Sequence, residues 1–403
     1  PVAGKSNLSI ILISDSQLLD EVVVVGYGTQ KKTSLTSAVS SMEGEEISSI
    51  PVTNLSNSIG GRLSGVIVKQ ASGEPGIDGS SIYVRGISTI GSTQPLLIVD
   101  GIPRDFQNLD PNSIETFTVL KDAAAVAPYG VAGANGVILV TTKDGKSGEA
   151  VINYNGYVGF QNPTYLPDLV NGYEYALLKN LAAESDGLAK PWSDEALQKF
   201  QDGSDPDRYP PYYDVWGDLV NENALLNYHS LDVSGGSEKF NYYVNFGYQN
   251  QEGMWPSTYA KRYNLTLSVN GDITPTTSLS VKVNGFNKFA TQPPTDNDGS
   301  IGSSTVRVFE LIKYAHPDFG PLFYSNGLYG AHASAAIYGS GYRDRTDLNI
   351  FSQVSINQEI PFIEGLNLMG KVAFDPRYST HKNWSTPLHV ANIDVSQQPY
   401  VIT

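Results

Sequence analysis

Chemistry is sought first among the five histidines, His229, His316, His332, His381 and His389, and their spacing offers none. A metal site or an acid–base pair needs such side chains at ligand spacing or beside a nucleophile, and these five are scattered through strand-like and loop-like stretches. "DGSDPD" (202–207) and "TDNDGS" (295–300) echo calcium loops, but the tight-turn glycine and the bidentate glutamate do not fall at the required offsets. Both read as solvated loop acids. "GGSEK" (235–239) has no strand-then-helix context and reads as a hairpin turn, not a phosphate loop. No enzymatic activity, cofactor or metal is expected. The chemistry that stands out is backbone hydrogen bonding, in "LLDEVVVVGYGTQKKTSLTSAV" (18–39). Val22, Val23, Val24 and Val25 have high β propensity and no proline among them, so they are suited to adding a strand to another protein's sheet. Gly26, Gly28 and the polar run Thr29 to Thr33 supply loose joints around them.

The elements that must position these residues follow from composition and pattern. A net charge of −15, with no basic run, argues against a nucleic-acid partner. The absence of cysteine excludes disulfides, thiolate metal sites and a cysteine nucleophile. With 39 glycines, 24 tyrosines and only 3 methionines, short strands and turns are favoured over helices, so the chain reads as mainly β. Residues 123–140 are apolar, but Pro128, Gly130, Gly133, Asn135 and Gly136 break any helical span there. No signal peptide opens the sequence, so the chain is expected to begin inside a larger precursor.

Residues 1–19 alternate Leu8, Ile10 and Leu12 like the last strand of a sandwich domain. From about 40 to 145, short apolar runs separated by Gly and Pro turns, with short helices at 54–63 and 122–130, predict a compact α/β-like domain. Long period-2 strands follow. In 239–250, Phe240, Tyr242, Val244, Phe246 and Tyr248 share one face, while Asn241, Tyr243, Asn245, Gly247 and Gln249 share the other. Comparable alternation at 151–160, 226–234, 263–270, 279–287, 348–357 and 366–374 brings the count to about seven strands. Short turns alternate with two long connections, about 161–225 and 291–345, as in an outer-membrane barrel. The polar face, with Asn153, Asn155, Asn241, Asn245, Asn264, Asn270 and Asn284, suits a water-facing lumen. A soluble sandwich or solenoid would also alternate, and is the competing architecture. Seven strands cannot close around a domain of this size, so the native polypeptide is expected to continue beyond Thr403.

The succession "DEVVVVGYGTQKK", "GRLSGVIVKQASGEPG", "SIYVRGIST", "QPLLIVDGIP" and "SIETFTVLKDAAAVAPYGVAGANGVILVTTKDGK" resembles the SusC/RagA-like TonB-dependent transporters of Bacteroidota outer membranes, and "LDVSGGSEKFNYYVNFGY" extends the likeness. The resemblance implies four segments: the end of a small N-terminal β-sandwich domain (1–19), a TonB box with linker (20–39), an α+β plug (40–146), and the first part of a transmembrane antiparallel β-barrel (147–403). About seven of an expected 22 barrel strands would be present. Asp20, Glu21, Val22, Val23, Val24, Val25, Gly26, Tyr27 and Gly28 are then the residues expected to bind TonB, itself powered by ExbB and ExbD. The implied function is plug-gated import of an oligosaccharide or peptide across the outer membrane, under a SusD-like surface lipoprotein lid, with outer-membrane lipid around the barrel. The alternative is a non-transporting surface receptor or adhesin, which would have no use for a TonB box. Where family members carry an arginine before the Asn-Gly-Val-Ile motif, this sequence has Val131, Ala132, Gly133 and Ala134. Among Arg85, Asp100, Arg104, Glu115, Lys121 and Asp122, surface ion pairs are one reading and a plug latch the other. Arg85 and Asp100 are the residues assigned to the latch. The loop aromatics Tyr209, Tyr212, Tyr213, Trp216, Trp255 and Trp384 are either sugar-stacking platforms or packing anchors, and the sequence does not identify the substrate.

Overall fold

The computed structural model describes residues 22–25, 28–31, 39–87, 91, 93–211, 214–294, 303–313, 315–317, 320–363, 365–394 and 401–402. The expected sandwich remnant, 1–19, lies outside them. Strand β1 (Val22–Val25) pairs antiparallel with β2 (Gly28–Lys31).

A small α+β unit follows, built from β3 (Val39–Glu43), α1 (Gly44–Ser48), α2 (Leu55–Ser58), β4 (Val66–Gln70), β5 (Ser80–Val84), β6 (Leu96–Val99), β7 (Ile102–Pro103), β8 (Ile114–Leu120), α3 (Ala123–Val126) and β9 (Val137–Thr142). The helix expected at 54–63 shrinks to a single turn, α2, ahead of Gly60 and Gly61, whereas that expected at 122–130 forms as α3 and continues as a 3-10 stretch over Ala127–Gly133, broken at Gly130. Asn54 caps α2 by accepting from the Ser56 N–H at 3.0 Å. Five strands form one sheet in the order β3-β8-β9-β6-β7, with β6 and β9 parallel, while β4 and β5 form a separate hairpin. Ile47, Leu55, Phe106, Ile114, Phe117 and Ile138 are buried in the core between sheet and helices, each large side chain contributing about 1.5–3 kcal/mol. Phe106 meets Phe117 edge to face at 5.1 Å.

The second unit is one antiparallel sheet in chain order. It holds β10 (Gly148–Gln161), β11 (Ala224–Ser237), β12 (Phe240–Glu252), β13 (Tyr259–Thr274), β14 (Thr277–Gln292), β15 (Gly341–Glu359), and then β16 (Asn367–Phe374) and β17 (Arg377–Ser385). β16 pairs with the second half of β15 and β17 with the first half, from Glu359↔Asn367 through Ser352↔Phe374 to Asn349↔Arg377 and Gly341↔Ser385. They are therefore one seventh strand, broken at Asp375-Pro376, where proline has no N–H to give the ladder. All seven expected strands are present. Several are longer than the alternation suggested, 16 residues in β13 and 19 in β15, because the sheet continues past its apolar band.

The two faces of the sheet are inverted relative to a soluble core. Phe246 and Leu265 are 50% exposed on the outer face, whereas Asn245 is 0% and Asn284 1% exposed on the inner one. An apolar outside and a polar inside suit lipid on one side and the α+β unit on the other. The polar face was expected to line water. Asn245, Asn264 and Asn284 are instead buried against the α+β unit, while Asn153 and Asn155 of β10 remain exposed. Two phenylalanines of the inner face, Phe286 and Phe351, join the core of that unit directly.

The long connections, read from the sequence only as loops, are folded. Helices α4 (Gly172–Ser185), α5 (Asp194–Asp202) and α6 (Val215–Leu219) occupy the first, and α7 (Ser303–Lys313) and α8 (His332–Tyr338) the second. Asn171 and Glu174 form a reciprocal capping box on α4. Val215, Leu219, Trp255, Ile312, Leu322 and Ile337 make a shared core between the two connections and the β12–β13 turn.

Candidate functional site

The junction between the α+β unit and the sheet is where the charged residues converge, and a single hairpin organises it. β6 and β7 are joined by two residues only, Asp100 and Gly101, with φ of 51° and 82°. Positive φ at both positions is the type I′ turn that an Asp-Gly pair favours between strands. The turn drives its tip into the wall. Asp100 accepts from the Thr142 N–H at 3.0 Å and from the Thr142 hydroxyl at 2.8 Å, which fixes the carboxylate within its own unit. Lys282 of β14 then reaches Asp100 at 3.5 Å and Asp144 at 3.0 Å, and Lys371 of β16 donates to the Asp100 carbonyl at 2.9 Å. Gly101 is favoured by its positive φ, and a Cβ there would also stand 3.1 Å from the Lys371 ammonium, which would have to shift slightly.

Arg104, at the end of the same hairpin, makes the most complete contact. Its Nε donates to Asp375 at 2.8 Å and its Nη2 to the other carboxylate oxygen at 2.6 Å. Nη1 donates to Gln353 at 2.9 Å and Nη2 also to the Ser352 carbonyl at 3.1 Å, while the guanidinium lies 5.5 Å from the Phe351 ring centre. Two-point pairing with a planar guanidinium fixes orientation as well as distance. Asp375 is available because the seventh strand breaks there: its carboxylate also accepts the Ser352 N–H at 3.2 Å.

Of the two residues expected to hold the α+β unit, only Asp100 meets the wall. Arg85 pairs with Asp122 inside its own unit and is more than half exposed, so Arg104 is the arginine that faces the sheet. Lys121 donates to Ser40 and Ser64, also within the unit. The wall partners Lys282 and Asp375 were missed. A lysine inside the alternating run "SVKVNGF" and an Asp-Pro interrupting a strand were the signals available.

A second contact region is neutral in its hydrogen bonding. Asp110 accepts from Tyr228 of β11 at 2.6 Å and from the Asn112 N–H at 2.8 Å, and Asn112 in turn donates to Tyr228 at 2.7 Å. The second Asp110 oxygen is buried without a hydrogen-bond partner, and a Cβ on Gly247 would stand 1.8 Å from it. Burial pushes the Asp110 carboxyl above the usual carboxylate range, with Tyr228, the Asn112 N–H, Arg262 and Lys143 acting the other way. Asp144 goes the opposite way. Burial raises it, but Lys282 and the hydrogen bonds from Ser268 and Asn270 together hold it below that range. Nearer the long connections, Arg262 donates to the Thr53 carbonyl and Lys288 to the Gly76 carbonyl, at 2.8 and 2.9 Å. The wall thus contributes cations to carbonyls and carboxylates of the inner unit, and Arg104–Asp375 reverses that polarity.

Among the described residues no cluster of His, Asp or Glu could hold a metal ion. "DGSDPD" spends its acids on structure: Asp202 accepts from the Ser204 N–H, and Asp207 binds Ser325 across the two connections. "TDNDGS" lies outside the described residues. The loop aromatics mostly pack: Tyr209 and Trp255 are buried, and the Trp216 indole donates to the Pro167 carbonyl at 2.8 Å. Trp384 is exposed on β17, and Tyr212 and Tyr213 fall outside the described residues. Of the segment expected to bind TonB, Val22–Val25 form β1 and Gly28 begins β2, while Asp20, Glu21, Gly26 and Tyr27 are outside the description.

Residues 31–137 match the family profile of the TonB-dependent Receptor Plug Domain. The chain is 36% identical over 270 residues to TonB-dependent receptor P26 of Formosa agariphila, covering 65% of this chain and 26% of that one. It is 34% identical over 282 residues to TonB-dependent receptor SusC of Bacteroides thetaiotaomicron, covering 67% and 26%. It thus spans about a quarter of the length of these curated relatives. In structure it is similar to the RagAB peptide importer in its open-open state, with a TM-score of 0.70 at 24% identity over 89% of this chain and 42% of that one, which shows a shared fold.

Proposed function

The chain belongs to the SusC/RagA-like TonB-dependent transporters, and from that premise we propose that it is the plug and first barrel strands of a protein importing a nutrient across the bacterial outer membrane. The observation that carries this reading is the way the plug is held. Its wall contacts are side-chain hydrogen bonds spread over several segments and a few ion pairs, most of them at the β6–β7 hairpin, and among the described residues Phe286 and Phe351 are the wall residues that join its core cluster. Such contacts hold a plug at rest and give way in turn when one end of it is pulled. In this reading residues 20–28 are the handle, gripped by TonB with ExbB and ExbD as its power source. The wall residues guide the plug back.

The substrate is proposed to be an oligosaccharide or a peptide, admitted under a SusD-like lipoprotein lid seated on the long connections. Support for the peptide class comes from the fold-level likeness to a peptide importer, while the oligosaccharide class rests on the family resemblance of the sequence alone. The reading puts the long connections outside the cell, the plug and its handle toward the periplasm, and the outward apolar band in lipid. The test is uptake in a strain lacking the gene, complemented by the full-length protein or by one deleted for Asp20 to Gly28, with surface expression matched. Import restored by both forms would overturn the reading.

A further inference from the structure

The outward face of the sheet changes character near the long connections, where it gathers groups that lipid tails alone do not call for. Along one rung of the ladder Tyr248 pairs with Tyr263 and Tyr263 with Asn287; on the next rung toward the long connections Asn250 pairs with Lys261 and Lys261 with Phe289. Residues two apart in a strand share a face, so these six point away from the plug, as do Phe246 and Leu265 on the apolar rung before them. We propose that this patch binds a phosphorylated glycolipid of the membrane leaflet on the long-connection side. Lys261 meets the phosphate, Tyr248, Tyr263, Asn250 and Asn287 meet the sugar, and the apolar band meets the acyl chains.

Charge points to the phosphate. Among the described residues Lys261 forms no ion pair and no hydrogen bond, and its ammonium lies over the Tyr259 ring, 5.4 Å from the centre. Glu252, diagonal to it on β12, accepts the Leu225 N–H at 3.2 Å. Lys282 and Lys371 of the same sheet turn to the plug, and Lys382, also outward, stands opposite Asp344 in the ladder and 4.9 Å from the Tyr342 ring centre. An ammonium left over at the rim of an apolar band attracts an anionic headgroup.

The neighbours of Lys261 point to the sugar. Asn287 is exposed between Tyr263 and Leu348 on the lipid-facing side and has no hydrogen-bond partner among the described residues. A carboxamide in that position is costly unless something brings it hydrogen bonds. Two carboxamides and two phenols around a single cation match a sugar bearing one phosphate, since a phosphate alone would be met by further cations. The Tyr248 and Tyr263 rings lie 5.2 Å apart at 42°, with Tyr263 43% exposed, which gives a sugar ring an apolar floor beside hydrogen-bonding hydroxyls. Next to Asn287 along β14 comes Gly285, between Leu265 and Ile350 in the ladder. With no side chain of its own it leaves a hollow between two aliphatic neighbours, where an acyl chain can start. Aromatic rings by themselves mark a membrane boundary and nothing more. The lysine, the carboxamides and the glycine on one patch go beyond that.

The site rests on the import reading only for the leaflet it faces. The experiment is native mass spectrometry of the purified full-length transporter in mild detergent, titrated with monophosphoryl lipid A, with its dephosphorylated form and with phosphatidylglycerol. Monophosphoryl lipid A should bind about tenfold more tightly than either, through the phosphate contact in the first comparison and the sugar contacts in the second. Lys261→Gln should bring the phosphorylated and dephosphorylated forms level, Lys261→Arg should keep them apart, and Lys382→Gln should leave the preference as it is. Asn287→Leu should weaken both glycolipids and leave phosphatidylglycerol unchanged. Equal binding of the two glycolipids, phosphatidylglycerol bound as tightly as the phosphorylated one, or a preference that survives Lys261→Gln would overturn the site. An equal loss in Lys382→Gln would reduce the effect to general surface charge and overturn it as well. Should Lys261→Gln not assemble, Asn287→Leu decides alone, and an unchanged preference over phosphatidylglycerol overturns the site. A transporter that fails these tests but still imports its nutrient leaves the import reading untouched, whereas normal import without residues 20–28 sinks only that reading.

Discussion

Arg104 and Asp375 stand 271 positions apart in the chain and form a two-point ion pair at 2.6 and 2.8 Å, with the arginine side chain 1% exposed. Removing Asp375 would leave the buried arginine without its charge partner, at about 3–5 kcal/mol, whereas removing Arg104 leaves Asp375 28% exposed to solvent and costs less. Arg104→Ala and Asp375→Ala should each lower the force at which the plug leaves the wall in single-molecule pulling. The exchange Arg104→Asp with Asp375→Arg should recover part of it. Wild-type release in both single variants would show that the pair does not hold the plug.

Arg85 provides the contrast. Its pair with Asp122 is exposed and lies inside the plug, so Arg85→Ala should cost no more than about 1 kcal/mol in the same measurement. A loss as large as that of Arg104→Ala would restore Arg85 to the latch.

Plug seating should depend on pH through Asp110 and Asp144, in opposite directions. The Asp110 carboxyl is raised, so the seated plug binds its proton more readily than the free one. Its contribution is full below the ordinary carboxylate value and is lost as pH rises through the raised one. Asp144 is lowered, so its contribution is present above the ordinary value and fades as pH falls through the lowered one. Asp110→Asn should therefore remove the loosening on the alkaline side, read as the denaturant midpoint for plug release between pH 4 and pH 8. An unchanged profile would mean that Asp110 does not titrate in the seated plug.

Gly247 of β12 leaves the space that the Asp110 carboxyl occupies. Gly247→Ala should disturb seating by about 1–3 kcal/mol, the usual cost of overpacking. Asp110→Ala in the same protein should relieve most of that effect, giving a coupling that two independent substitutions would not show.

Proline at Val23 and Val25 should abolish uptake while barrel assembly and surface binding of ligand stay intact. Among the described residues β1 is paired along one edge only, with β2, and in the proposed handle a partner strand would add to the other, where four to six backbone bonds at about 0.5–1.5 kcal/mol each would give a grip of a few kcal/mol. Normal import by the double-proline form, or failure to assemble, would remove the handle from this segment.

The sequence by itself determined the architecture, because strand identity is written locally. Phe240, Tyr242, Val244, Phe246 and Tyr248 against Asn241, Asn245 and Gln249 set one apolar and one polar face whatever lies on either side. The Asp-Gly turn and the break at Asp375-Pro376 are equally local, each following from what a glycine or proline backbone permits. Only the tertiary structure decided what the polar face meets. Water and a plug ask for the same asparagines, so Asn245 and Asn284 could be read as lumen until a second unit was seen to bury them. Phe286 and Phe351, like Tyr243, were clues as large ring side chains on a polar face, but an exception in a strand has no meaning without its neighbour. The latch was undecidable for the same reason. Arg85 and Arg104 each follow a short strand, and charge, spacing and flanking glycines do not separate them. What separates them is that one hairpin points into the wall, where strands far along the chain supply Asp375 and Gln353, while the other turns back onto Asp122. A partner brought in from so far along the chain leaves no local trace, since the backbone between the two residues carries no record of where it will return.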